Sequence, residues 1–460
     1  YRPSAPAGTV RIFLKGRGMN PSDAIRQDPP PGARLVRFRG DTLRFTLALA
    51  AAVPGTAWIR TNIGHAAVAR RAIIAAVDKN TPPLGTDWFD IPLRPVDSRR
   101  FAVALPLAET GHFEAKGYFL PAGEKAPLWP AGANTSINVG PAGAASANII
   151  YNAFVRQFGP NRDGRQTQND TETACIRMLD QKGCTVIPRS GTFRDLIAQL
   201  DFILGRLGCR FVHLLPVSPT PTTYGRMGRF GSPYAALHFT GIDPALAVFD
   251  FKATPLEQFI ELVDAVHARR AGLILDIAVN STGWAAGLHE THPRWLVRDV
   301  AGEIRSPGAW GVVWRDLASL DYTCRDLWRY IASVFLTWCR RGVDGFRCDA
   351  GYMIPLPAWT YIIARVREEF PDAVFLLEGL GGSIAVTRDL LNRANFNWAY
   401  SELFQNDDRE QISRYLPETF DISEQDGLAV HYAETHDNNR LAARSQTYAA
   451  MRTALCALCS

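Results

Sequence analysis

Three short stretches limit what this chain can be: Gly345-Phe346-Arg347-Cys348-Asp349-Ala350, Phe375-Leu376-Leu377-Glu378-Gly379 and Glu434-Thr435-His436-Asp437-Asn438-Asn439. In each, an apolar, strand-like run is followed by a carboxylate. Carboxylates delivered from the ends of several strands are how a parallel α/β barrel assembles a catalytic site. Two of them suffice to break a glycosidic bond with retention, one as nucleophile and one as proton donor. The three stretches therefore point to chemistry on a glycosidic bond.

The chain has 460 residues, enough for two domains, and its 47% hydrophobic and 21% charged content is that of an ordinary globular protein. No apolar run reaches the roughly 18–20 residues that span a bilayer. The start, Tyr1-Arg2-Pro3-Ser4-Ala5-Pro6, has neither Met nor an apolar signal core, but a removed leader would leave such a start, so it decides nothing. The net charge is +5, yet the basic residues come as pairs such as Arg269-Arg270 and Arg340-Arg341 with acidic residues nearby. A nucleic-acid surface would be denser. Neither a nucleic-acid nor a membrane partner is expected. The eight cysteines do not form the paired CxxC sets expected of a zinc site, nor a dense disulfide framework. Cys339 and Cys348 fall in apolar patterns where a free thiol packs as a small hydrophobe. A reducing cytoplasm is expected, with Cys175 and Cys184 the pair that could join in an oxidising compartment.

Up to about residue 145 the pattern is that of antiparallel strands. Leu35–Arg39 and Leu43–Leu47 alternate faces around a Gly40-Asp41 turn, and Phe101–Leu105 with Phe113–Phe119 reads as a second pair. A β-sandwich over 1–145 is expected. Trp58, Trp88, Trp129 and Tyr118 are read as its core, with stacking on sugar rings as the alternative. The small, turn-rich Gly140–Ser146 stretch serves as a linker.

From Ile149 the pattern alternates between strand and helix. Strands are expected at Ile149–Val155, Phe211–Pro216, Leu273–Ile277, the run reaching Asp349, the run ending at Glu378, Phe396–Trp398 and Leu428–Tyr432. A polar insertion occupies roughly 159–183. Thr254-Pro255-Leu256-Glu257 carries an N-cap, a proline at the first helical position and a capping-box glutamate. Trp328, Ile331, Phe335 and Trp338 give a later helix one apolar face. This is the pattern of an α/β protein, a (β/α)8 barrel over 146–460 that stops before its eighth strand. An open barrel leaves a costly unpaired edge, so the chain is expected to be cut from a longer protein.

These residues resemble glycoside hydrolase family 13, the α-amylase family, over about 149–460. The Gly345–Ala350 stretch is similar to the strand-four motif, which implies that Asp349 is the nucleophile. Glu378 falls where the strand-five acid/base stands. His436-Asp437 resembles the strand-seven motif, whose aspartate binds the distorted sugar, so Asp349, Glu378 and Asp437 form the implied catalytic set. Asp276-Ile277-Ala278-Val279-Asn280 resembles the strand-three motif. The resemblance implies that Arg347, His436, Asp276 and Asn280 contact substrate. Arg347, two residues before Asp349 on the same strand face, is expected to hold the nucleophile's pKa down, and the retaining pair is expected about 5–5.5 Å apart. One departure stands out: Ser281 follows Asn280 where the family usually has a histidine. His213 is read as a packed histidine.

Phe230-Gly231-Ser232-Pro233-Tyr234 resembles the Ser-Pro-Tyr stretch of amylomaltases and related glucanotransferases, in which Tyr234 would stack beneath the cleaved sugar. Thr435-His436-Asp437-Asn438 is similar to glycogen debranching enzymes of the glucanotransferase type. The expected function is cleavage of α-glucosidic bonds through a covalent glycosyl-aspartate, with transfer of the glucan to another glucan. The alternatives are an amylase-like or α-1,6-cleaving hydrolase and a non-catalytic glucan-binding relative. The expected partner is an α-glucan oligosaccharide or polysaccharide. No cofactor and no metal site are expected, since His436, Asp437 and Asp276 lack the HxH or HExxH spacing of a catalytic metal centre.

Overall fold

The computed structural model describes residues 24–145, 148–162, 170–182, 190–221, 231–406 and 408–459. Cys184 and Phe230 lie outside them. The chain divides into two compact units, one reaching Ala142 and including Ser423–Asp426, the other holding 143–422 and the residues from 427 onward.

The first unit contains β1 (Ile25–Asp28), β2 (Arg34–Phe38), β3 (Thr42–Leu49), β4 (Gly55–Thr61), β5 (Phe89–Pro95), β6 (Arg100–Pro106), β7 (Gly111–Pro121) and β8 (Thr135–Gly140). They are hydrogen-bonded in the order β1-β3-β6-β5-β4-β7-β8-β2. Strict alternation along β3 turns Leu43, Phe45, Leu47 and Leu49 inward, where they meet Ile59, Phe113, Phe119 and Ile137 in one core. The expected hairpins do not form. The turn itself closes, with Asp41 N–H on Phe38 O, but Gly40 N–H and Asp41 O bond to Leu107 and the flanking strands do not pair. As a result β2 pairs in parallel with β8, while β3 pairs with β1 and β6. Likewise β6 does not pair with β7, which lies between β4 and β8. Alternation fixes which face is buried but leaves the partner open. The aromatic residues read as core are also corrected. Trp58 alternates with buried Ala57 and Ile59 and stands half-buried on the opposite face, opposite Tyr118 on β7. Trp129 packs on Tyr118 with ring centroids 4.7 Å apart.

The second unit is built on a seven-stranded parallel sheet in chain order. Its members are β9 (Ile150–Ala153), β10 (Phe211–Leu214), β11 (Gly272–Ile277), β16 (Gly345–Cys348), β17 (Val374–Leu377), β18 (Trp398–Tyr400) and β19 (Leu428–Val430). Between β11 and β16 the chain makes two small hairpins, β12 (Ser281–Gly283) with β15 (Leu317–Ser319) and β13 (Gly308–Ala309) with β14 (Val312–Val313). Every residue of β16 and β17 is buried, as expected of strands covered on both faces. The helix Arg325–Arg340 buries Ile331, Phe335 and Trp338 on one face. Phe335 meets Phe346 of β16 edge-on at 4.6 Å and Phe375 of β17 at 6.0 Å, which anchors the two strands that end in Asp349 and Glu378. The Thr254 cap is formed in full: its hydroxyl accepts from Glu257 N–H while the Glu257 carboxylate accepts from Thr254 N–H. The insertion read as merely polar holds a helix, Asp170–Gln181. Among the described residues no helix is long and apolar enough to cross a membrane.

Candidate active site

Parallel pairing delivers the charged residues to one end of the sheet. Asp276 near the end of β11 is the register partner of Arg347 on β16. Asp349 follows β16 and donates its N–H to Ile277 O, and Glu378 follows β17 and donates its N–H to Cys348 O. The loops beyond those strands can then converge on a common space.

Arg347 is the hub. Its guanidinium is fully buried, and an isolated buried cation would be prohibitively expensive. Its Nη1 donates to Asp276 Oδ1 at 3.0 Å and to Asp349 Oδ1 at 2.5 Å. Its Nη2 lies 2.7 Å from Glu378 Oε1, an ion pair off the hydrogen-bond direction. The nucleophile and acid/base candidates therefore flank the two terminal nitrogens of one guanidinium. The rings of Tyr400 and Tyr234 cover the same cation at 5.6 and 5.8 Å. The other oxygen of Glu378 accepts the N–H of Ala350 at 2.6 Å. Ala350 holds a left-handed φ of 43°, an uncommon conformation for a residue with a Cβ, and it turns that N–H toward the carboxylate.

A hydrogen-bonded chain continues from Asp276. Tyr234 donates its hydroxyl to Asp276 Oδ2 at 3.1 Å, and His213 reaches the same oxygen at 3.3 Å. The Asn152 amide nitrogen on β9 faces His436 Nδ1 at 3.0 Å. With Nδ1 accepting, the ring proton belongs on Nε2, which faces the Tyr234 oxygen at 2.5 Å and Asp437 Oδ2 at 3.0 Å.

Burial raises the Asp349 carboxyl above the usual carboxylate range, and the negative charges of Asp276 and Asp437 add to it. Arg347 opposes this without reversing it, which corrects the expectation that the arginine would hold that pKa down. Glu378 is pushed up further, to about 8, by burial first, with Arg347 opposing and the Asp349 charge adding. Asp276 goes the other way: its burial is outweighed by Arg347 and the His213 bond, and it sits below the ordinary value. Asp437 is also lowered, since the His436 bond outweighs its partial burial. The carboxyl groups thus separate into Glu378 and Asp349, both raised, and Asp276 and Asp437, both lowered.

A cavity of about 570 Å³ opens over this group, and Asp349, Glu378, Asp437 and Tyr234 line it. The other sequence-singled residues stand elsewhere. Arg347 and Asp276 lie beneath the wall with no side-chain exposure. His436 is mostly covered and faces Tyr234. Asn280 is buried and turns its amide nitrogen toward Met353 Sδ at 3.5 Å. Ser281 is wholly buried in β12. His213 is packed, as read, and also bonds Asp276. Asn152, Tyr400 and the cavity-lining Trp310 and Asp316 escaped the sequence reading. A polar residue in mid-strand was the available signal for Asn152; the others lie in runs with no distinguishing pattern. Among the described residues no group of three or more histidine, cysteine or carboxylate side chains is spaced to hold a metal ion.

A parallel α/β sheet with acidic side chains gathered at its carboxyl end is how α/β enzymes of the barrel type build their active sites. No family model matches the sequence. The chain is 30% identical over 262 residues to the α-1,4-glucan:maltose-1-phosphate maltosyltransferase of Burkholderia pseudomallei, covering 53% of this chain and 22% of that protein. It is 29% identical over 248 residues to the enzyme of the same name from Pseudomonas aeruginosa, covering 50% of this chain and 36% of that one. The matches thus span well under two thirds of these relatives' length. An α-amylase from Lactobacillus plantarum shares the fold, with a TM-score of 0.51 at 24% identity over 65% of this chain and 66% of that one. The chain is thus similar in sequence to these maltosyltransferases over about half its length, and similar in fold to that α-amylase.

Proposed function

We propose that this protein cleaves α-glucosidic bonds with retention and passes the released glucan to another glucan, as a 4-α-glucanotransferase or glycogen-debranching type of enzyme. The observation that carries the reading is the shared guanidinium: Arg347 holds Asp349 and Glu378 side by side, both facing one cavity. Two adjacent carboxyl groups suit a double displacement, whereas an inverting pair is spread wider to admit water between them.

In the first step the Asp349 carboxylate attacks the anomeric carbon while Glu378 donates its proton to the glycosidic oxygen, and the leaving chain departs as an alcohol. Positive charge develops on the sugar and is met by a cavity rich in carboxylates. Asp437, exposed to the cavity, grips sugar hydroxyls more tightly as the ring distorts. In the second step Glu378, now a carboxylate, takes the proton of an acceptor hydroxyl. The new glycosidic bond forms as the ester to Asp349 breaks. Tyr234 stacks beneath the sugar, while Asp276, Arg347, His436 and Asn280 support the subsite, the first three through the chain of bonds described above. The seven parallel strands belong to a (β/α)8 barrel over 146–460, preceded by a β-sandwich over 1–145. An α-glucan is the partner and the cytoplasm the setting, in keeping with Cys339 and Cys348 as buried thiols.

Relatives named as maltosyltransferases support transfer over release to water. The test is maltoheptaose with the full chain: a ladder of longer and shorter products supports transfer, whereas only shorter products from the first time points would mean a hydrolase. Asp349→Asn is expected to abolish turnover while glucan binding persists. Unchanged turnover would remove Asp349 from its role.

A further inference from the structure

Between β13 and β14 the chain turns through Trp310 and Gly311, with φ of 51° and 76°. Two left-handed residues in a two-residue hairpin loop make the turn that asparagine-glycine or glycine-glycine supplies most cheaply. A tryptophan at the first position is strained, and such strain persists where function holds it. The indole is 67% exposed yet lines the cavity. It packs beside Gly381 in the loop after Glu378, where a Cβ would come within 2.6 Å of the Tyr352 hydroxyl and 3.3 Å of the indole. Gly381 thus leaves room for both rings to approach the catalytic loop.

Six residues on, before β15, stands Asp316. It is 7% exposed, lines the same cavity, and its Oδ1 is buried without a hydrogen-bond partner. Leaving a buried acceptor unmet destabilises a fold, so its persistence points to a partner that arrives from outside. A carboxylate accepts two hydroxyl bonds from one pyranose, and an indole face stacks on the apolar face of the same ring. A negative group at this spot also disfavours an anionic ligand.

We propose that Trp310 and Asp316 form a binding subsite for a neutral glucosyl unit, the indole under its ring and the carboxylate on its hydroxyls. The subsite extends the reading above to the sugars flanking the cleaved bond, and rests on it. Binding rather than turnover is measured, so the two fail separately. Maltoheptaose is titrated into the full chain carrying Asp349→Asn, with and without Asp316→Ala, Asp316→Asn or Trp310→Ala. The dissociation constant is expected to rise at least about tenfold for Asp316→Ala, the loss of bonds to a charged group, and comparably for Trp310→Ala. Melting temperatures of the Asp316 variants should stay level or rise, because no internal bond is lost. An unchanged dissociation constant, or no maltoheptaose binding by the parent, overturns the subsite. A melting temperature that falls for both Asp316 variants would make the residue structural and overturn it too. Binding by the Asp349→Asn chain together with no product ladder from the unsubstituted chain would sink the proposed transfer while leaving the subsite standing.

Discussion

The division of labour among the acidic residues comes from how each is compensated. Asp276 has the arginine, a histidine and a tyrosine hydroxyl, so ionisation is favoured. Glu378 has the same arginine only as an off-axis ion pair and one backbone N–H, and burial prevails. Its pKa near 8 has a definite consequence for rate. Glu378 must be protonated and Asp349 ionised, so kcat/KM with maltoheptaose should fall about tenfold per unit above pH 8 and fall separately on the acid side as Asp349 takes up its proton. Glu378→Gln should lower the rate and flatten that alkaline limb. A fall that begins near the ordinary glutamate range would contradict the assignment. At this scale the three carboxylates were legible because each ends an apolar run. The sign of the Asp349 shift was not, since it depends on how burial and three neighbouring charges balance in space.

Elements explain why those residues meet. The Phe335–Phe346–Phe375 cluster ties the Arg325–Arg340 helix to β16 and β17, so the two strands present their ends in fixed register. Local signals were read well where the physics is local. Thr254, Pro255 and Glu257 make the cap their spacing calls for, and Thr254→Ala should lower stability by about 1 kcal/mol in urea unfolding. No loss at all would show that the cap is replaced by other donors. Signals failed where pairing is non-local. The Gly40-Asp41 turn was legible, but the partners of β2 and β3 were not, because Leu107 captures the turn's backbone. Trp58 and Tyr118 were misassigned to the core for a related reason: alternation defines two faces, and only the neighbouring strands decide which one is covered.

For the molecule as a whole, strand order was the most readable feature. Seven parallel strands in chain order follow from an alternation of apolar runs and helical faces along the sequence. The excursion from β12 to β15 was opaque, since its short hairpins have no period to detect, yet it contributes Trp310 and Asp316 to the cavity. The proposed double displacement requires Asp349 to become covalently attached to sugar. Incubating the full chain with a 5-fluoro-α-glucosyl fluoride, whose ester is hydrolysed slowly, and mapping the modified peptide by mass spectrometry tests this directly. One glucosyl adduct is expected on Asp349, absent from Asp349→Asn; a fully consumed reagent with no adduct at any time, or an adduct on another residue, would contradict the covalent mechanism.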